Sequence, residues 1–395
     1  MTRSRGVRDD RVWQAGFLVG SALGVAATVA GRRMERSARR GLVDWPAAER
    51  VAIGRLRHAP GTLSPAELAA TEAAYAEIMT RIVPRLSEAL GAELPGVVGR
   101  SGVVDRAGWV RANSTTFAAL IGRLEGTLLD QILPPGGGIG QASIALANRW
   151  ITTRQIGFML GFMGTRVLGQ YDLALLSAET TPGRLLFVEE NIRQTAATLG
   201  VPLPAFRTWI ALHETTHAFE FEAHPWLRPY LADRLERQLA AFAGGSKGLP
   251  REMLRRLGRS LRGEGGGEHW MERLMSDEQR RLFRETQAVM SLLEGFSDYI
   301  MDEVGRDLVP DVERISERFH ARREQRKSGF ERAIMRLTGM DMKLEQYKKG
   351  ERFVAAIAAG GGKPALERLW AGPESLPREG EIEAPERWLA RVMAA

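Results

Sequence analysis

Cysteine is absent from this 395-residue chain. That gap excludes disulfides, thiolate metal ligands, iron–sulfur clusters and a cysteine nucleophile, so any transition metal must be held by His, Asp and Glu. It carries no information about the redox compartment. Lysine is scarce as well. Lys247, Lys327, Lys343, Lys348, Lys349 and Lys363 are the only ones, so the formal charge of +7 and the pI near 10.0 rest on arginine. An arginine-for-lysine bias beside abundant Ala and Gly reads as a composition effect, and no pattern of an RNA- or DNA-binding module accompanies it. Nucleic acid is therefore not an expected partner. With 44% hydrophobic and 26% charged residues, the chain has enough apolar material for a sizeable core.

Long uncharged runs are few, and one stands out. Trp13 to Ala30 is an 18-residue stretch without charge, flanked by Arg3, Arg5, Arg8 and Arg11 before it and by Arg32, Arg33, Arg36, Arg39 and Arg40 after it. Gly16, Gly20 and Gly24 share one helical face. Glycine disfavours a soluble helix by about 1 kcal/mol each relative to Ala, whereas a small-residue stripe lets helices pack closely in a bilayer. At full helical rise the stretch reaches about 27 Å, barely a hydrocarbon core. Three readings stay open: a membrane helix, a soluble Gly/Ala-rich helix, and a signal peptide that lacks a clear cleavage site. Residues 1–42 are set apart as an N-terminal segment with membrane contact expected through residues 13–30. Residues 43–395 form the main domain.

From Asp44 the pattern is mostly helical. Ser64-Pro-Ala-Glu67 reads as an N-cap, a proline in the first turn and a capping-box acid opening a helix toward Glu88. Further helices are expected over Ala107 to Leu129 and Gln141 to Gly169, separated by a Pro/Gly-rich loop from Leu133 to Gly140. No Gly-Lys-Ser/Thr follows that loop, so it is not a phosphate loop. The best strand candidates are Tyr171 to Leu176 and Leu185 to Glu189. A basic helical arm carries Arg251, Arg255, Arg256, Arg259 and Arg262 between two glycine-rich breaks. The last helix is expected to end near Ala359, before Gly360-Gly-Gly362 and a Pro-containing tail.

Phe206 to Ala223 carries the chemistry. Pro204 can start a helix here and Pro225 stops it. Phe206, Trp209, Ile210, His213, His217 and Phe221 fall on one face. Two imidazoles thus emerge one turn apart, roughly 5–6 Å between Cβ atoms, a separation that suits two ligands of one zinc ion. Glu214 is turned about 100° from His213, which places its carboxylate near a water at the metal rather than on the metal. There it can serve as general base. A lone His-Glu-x-x-His string needs support from elsewhere in the chain.

That support is a second helix, opened by the capping box Ser276-Asp-Glu-Gln279 and running to Gly305. Among its apolar positions lie Glu294 and, one turn later, Asp298. A carboxylate in an apolar stretch is costly unless it is paired or holds a cation. Zinc placed by His213 and His217 would satisfy Glu294 as third ligand, and Asp298 could accept the free ring N–H of one histidine. The metzincin pattern is excluded, because Glu220 and Ala223 stand where it requires Gly and His. Glu220 and Glu222 are expected to be solvated, and His58, His269 and His320 to lie at the surface. His320 and Tyr299 are candidates for stabilising an oxyanion.

At these residues the chain resembles a gluzincin. Glu294-Gly-Phe-Ser-Asp298 is similar to the Glu-x-x-Ser-Asp segment of thermolysin-like enzymes, in which the Glu binds zinc and the Asp buttresses a ligand histidine. Residues 44 to 391 also resemble a bacterial family of zincin-like metallopeptidases, some members of which carry the label "coenzyme biosynthesis-associated". The matching stretches are Ala107 to Asn113, Val167 to Asp172, Phe206 to His217, Leu292 to Asp302 and Gln346 to Gly350. The resemblance implies an α+β fold, predominantly helical, with a small β-sheet. It also implies a hydrolase whose substrate it does not establish, and residues 1 to 40 fall outside it. The leading expectation is a zinc-dependent metallopeptidase acting on a peptide or protein in the cytoplasm, with Zn2+ as cofactor; attachment to a membrane is expected only from the uncharged stretch at 13–30. A non-catalytic zincin that keeps zinc for stability is the alternative.

Overall fold

A computed structural model describes residues 34–132, 139–172, 183–245, 276–324, 340–378 and 380–393. Helices dominate: α1 (Trp45–Leu56), α2 (Pro65–Leu90), α3 (Arg106–Ile132), α4 (Ile139–Gly164), α5 (Glu189–Leu199), α6 (Leu203–Glu222), α7 (Leu227–Gly245), α8 (Asp277–Leu308), α9 (Val312–Glu324), α10 (Met340–Leu369) and α11 (Pro385–Met393). Three strands complete the fold: β1 (Ser101–Val104), β2 (Gly169–Asp172) and β3 (Arg184–Val188). The predominantly helical α+β architecture with a small sheet is as expected.

Both capping boxes form. The Ser64 side chain accepts the Glu67 N–H while Glu67 accepts the Ser64 N–H, and Ser276 and Gln279 do the same for α8. The sheet order is β1-β3-β2, with β1 parallel and β2 antiparallel to β3. As the central strand, β3 is covered on both faces, which explains the continuous apolar run Leu185, Leu186, Phe187, Val188, all buried. Tyr75 of α2 stacks on Phe187 with ring centroids 4.4 Å apart. β2 is an edge strand, and among the described residues no strand pairs with its outer side.

One main core joins α2, β3, α6, α8 and α10. Where α8 crosses α10, glycines meet. A Cβ on Gly295 would lie 2.2 Å from the carbonyl carbon of Gly350, and one on Gly350 would lie 1.9 Å from the carbonyl oxygen of Ser291. No side chain fits between these backbones. Gly295 directly follows Glu294, so this approach sets the depth at which Glu294 is presented.

Several sequence expectations shift. The helix expected from Gln141 to Gly169 stops at Gly164, because the Arg166 and Val167 N–H groups turn back onto the Met163 carbonyl and release the chain into β2. The first strand begins at Gly169, and residues 173–182 lie outside the described residues. The second strand ends at Val188, and Glu189 opens α5. The glycine break is a kink within α10, where Gly362 has φ 62° and ψ −158° before Pro364 restarts the helix. Strand β1 had no counterpart in the sequence reading. Neither did α11, whose Trp388 is buried in the tail. The basic arm at 251–262 and the stretch Trp13 to Ala30 lie outside the described residues. Among the described residues no helix is long and apolar enough to cross a membrane.

Candidate metal centre

Helix α6 runs through the core and is apolar on nearly every side. Phe206, Trp209, Ile210, Ala211, Leu212, Ala218 and Phe219 are buried. Phe206 and Trp209 stack on each other, and Phe319 of α9 packs edge-on to Trp209. This packing leaves His213 and His217 side by side, ring centroids 4.8 Å apart and planes nearly perpendicular, facing α8.

From α8, Glu294 completes the group. One ligand atom from each of His213, His217 and Glu294 lies within 4.8 Å of the other two. His213 Nε2 is 3.6 Å from Glu294 Oε2, and His213 Nδ1 is 3.3 Å from Asp298 Oδ1. Burial by itself would lower the His213 pKa. Hydrogen bonds and charges from Asp298 and Glu294 overcome it and hold the imidazole well above its ordinary value. The side chains of His213, His217 and Glu294 retain only 13%, 15% and 18% exposure, so these donors line a small, largely desolvated recess. Two imidazoles and one carboxylate without thiolate fit a divalent ion taking N and O donors, and three protein donors are the usual number in a catalytic zinc site.

Glu214 points to the other side of the helix ridge, toward β2. Its carboxylate accepts the backbone N–H of Tyr171. A Cβ at Gly169 would stand 2.5 Å from Glu214 Cγ, so glycine at this strand position makes room for the side chain. Burial raises the Glu214 pKa above the usual carboxylate range. Glu294 pushes the same way, and His213 and His217 pull against both. A carboxyl tuned upward is better matched to proton transfer near neutrality.

The structure corrects the expectation for two acids. Glu220 is 1% exposed rather than solvated, with Oε2 2.7 Å from His217 Nδ1. Burial pushes its carboxyl up to about 7. Ser297 Oγ lies 3.1 Å from the same ring nitrogen and donates to Glu220 Oε1 at 3.3 Å. Glu222 is paired, not solvated. Arg100 donates to both its oxygens at 2.7 and 2.8 Å, and the Tyr171 hydroxyl donates to one at 2.7 Å, tying the end of α6 to the sheet. Glu220 had a legible signal, since it sits among Ala218, Phe219 and Phe221. The argument that singled out Glu294, a carboxylate in an apolar run, applied to it equally. Ser297 is marked only as the Ser of the Glu-x-x-Ser-Asp segment, and the Tyr171 N–H had no such signal.

Among the described residues, His58, His224 and His320 are not in this group, and His269 lies outside the described residues. His224 stacks on Trp370, and burial lowers its pKa to about 4. His320 lies beside Phe319 on α9.

With this geometry in hand, a family model described as zincin-like metallopeptidase matches residues 43–389. The chain belongs to the zincin-like metallopeptidase family. A crystal structure from Chloroflexus aurantiacus, described as "a putative hydrolase with a novel fold", is 34% identical. The match covers 88% of this chain and 98% of that one, with a TM-score of 0.63. No curated protein matches the chain. Family membership and this likeness support a hydrolase of the zincin type. The family implies a divalent metal, typically zinc, and the matched span contains the whole His–His–Glu group.

Proposed function

We propose that the chain is a zinc-dependent peptidase in which His213, His217 and Glu294 hold the metal and Glu214 is the general base. The observation that carries the reading is the convergence of two histidines and a glutamate on one recess, with a fourth, buried carboxylate aimed past them at an edge strand. A bound zinc would supply Lewis acidity toward a carbonyl oxygen and lower the pKa of a water to about 7. Glu214 takes the proton of the attacking water and later returns it to the leaving amine. Asp298 keeps the proton of His213 on Nδ1, so that Nε2 is the free donor. Among the described residues no strand pairs with the outer side of β2, and an extended peptide can add to such an edge as another strand.

Purified in the absence of chelators and supplied with zinc, the protein is expected to hold one ion per chain. A peptide hydroxamate is expected to bind only the zinc-loaded form. Elemental analysis without metal would remove the reading. Retained zinc with no hydroxamate binding would favour the non-catalytic, zinc-stabilised alternative.

Membrane contact through residues 13–30, with the catalytic domain on the cytoplasmic side, belongs to the same proposal. Its support is the exposed apolar surface of α4 near the start of the main domain. Met34 and Ala38 pack on Ala142, Ala145 and Leu146 of α4. That helix leaves Ile144, Trp150 and Ile151 at 60%, 62% and 44% exposure, with the Arg154 guanidinium 5.0 Å from the Trp150 ring centroid. Exposed Ile144 and Ile151 on one face, with Trp150 and arginine nearby on the same helix, suit a lipid interface. Full-length protein is expected to sediment with membranes, whereas a chain starting at Met34 is expected to partition far less. Equal partitioning of the two without detergent would refute the anchor.

A further inference from the structure

We infer, resting on the zinc-peptidase reading, that Glu220 is a positioning residue for His217 and that Ser297 clasps the pair from the neighbouring helix. His217 Nδ1 is 2.7 Å from Glu220 Oε2 and 3.1 Å from Ser297 Oγ. The single hydroxyl proton of Ser297 goes to Glu220 Oε1 at 3.3 Å. The tautomer that suits both contacts carries the hydrogen on Nδ1, donates it to the Glu220 carboxylate and leaves the free lone pair on Nε2. The two oxygens of Glu220 are thus occupied on the side of the ring away from the His–His–Glu recess, and Glu220 is not a member of that group. It acts on the metal position through His217.

The arrangement has a consequence for how the two helices cooperate. Ser297 and Asp298 are consecutive on α8, yet they serve different histidines: Ser297 meets His217 and Glu220, while Asp298 meets His213. One turn of α8 therefore touches both rings, while Glu220 holds His217 from within α6. That turn carries Glu294 one turn earlier, and its depth is fixed by the Gly295–Gly350 approach. A carboxylate hydrogen-bonded to the far nitrogen also makes a ligand imidazole a stronger donor. Glu220 and Asp298 supply this to one histidine each, so removing either carboxylate should weaken metal binding without removing a ligand.

Zinc alone, titrated against a competing chelator, tests this on the full-length protein. Glu220→Gln keeps the volume and an acceptor oxygen but loses the charge, and it should weaken zinc about 10–100-fold. Ser297→Ala, which keeps the Glu220 charge, should weaken it in the same direction by less. In the zinc-loaded wild type, nitrogen-correlated proton spectra should show a hydrogen-bonded Nδ1–H on His217, displaced in Glu220→Gln. Wild-type zinc affinity in Glu220→Gln would overturn the inference. So would a loss of metal-free thermal stability with affinity unchanged, since that is what a merely structural carboxylate gives. Should Glu220→Gln fail to fold, unaltered zinc affinity together with an unaltered His217 spectrum in Ser297→Ala would overturn it. A wild-type chain that takes up no zinc removes the zinc-peptidase reading, and this inference falls with it.

Discussion

Replacing Glu214 by Gln is expected to lower peptide turnover about 10²–10⁴-fold, the range that a positioned general base contributes, while zinc content and thermal stability stay close to wild type. The separation follows from where the side chain sits. Glu214 is not a member of the His–His–Glu group, so an amide in its place leaves the metal donors intact. Gln still offers an oxygen to the Tyr171 N–H and still fits beside Gly169, so the contact with β2 survives. What it lacks is a basic oxygen for the proton of water. A hydroxamate, which needs the metal but no proton acceptor to the same degree, should still bind Glu214→Gln. Turnover equal to wild type would place the base elsewhere. Loss of zinc would show instead that Glu214 holds the site together.

Much of the site was legible because its chemistry breaks the pattern of its surroundings. His213 and His217 share an apolar face one turn apart, and Glu294 and Asp298 interrupt an apolar helix. Polar groups in such positions require partners, and these were the groups that the fold brought together. Glu220 is buried instead of solvated, as its neighbours Ala218, Phe219 and Phe221 imply. Ser297 falls within the Glu-x-x-Ser-Asp resemblance, but its contact with His217 and Glu220 needs the two helices docked to be seen. The Tyr171 N–H belongs to the backbone, and no side-chain pattern announces it. The helices followed the same logic. Capping boxes fixed the starts of α2 and α8 as expected, since a cap is a local interaction. Strand β1 escaped notice because Ser101-Gly-Val-Val104 is short and weakly patterned, and it becomes a strand only through its pairing with β3. The Gly295 and Gly350 pair lay within two of the stretches that carried the family resemblance, but a contact between distant glycines needs the crossing of α8 and α10 to be seen.

Away from the metal, the largest stability effect is expected at Glu189, the residue at which β3 gives way to α5. Its side chain is fully buried, and its carboxylate gathers three donors from three helices. Arg193 of α5 donates at 2.7 Å, the Tyr75 hydroxyl of α2 at 3.2 Å, and Arg207 of α6 through Nε at 3.1 Å and also through a terminal guanidinium nitrogen. Glu189 thereby ties the helix that carries both histidines to α2 and to the end of the central strand. Glu189→Gln leaves the Arg207 side chain, only 14% exposed, without its charge partner. Breaking a buried pair by removing one member costs about 3–5 kcal/mol, a large share of the roughly 5–15 kcal/mol by which a folded domain is stable. Deleting the Glu189 and Arg207 charges together, in a Glu189→Leu plus Arg207→Met chain, should recover part of the loss, because the charge left behind, Arg193, is 35% exposed. Urea unfolding of the three chains measures this directly. A Glu189→Gln midpoint at the wild-type position would mean that solvent reaches Arg207. A double variant no more stable than Glu189→Gln would mean that the network contributes through its geometry and the Tyr75 hydroxyl rather than through charge.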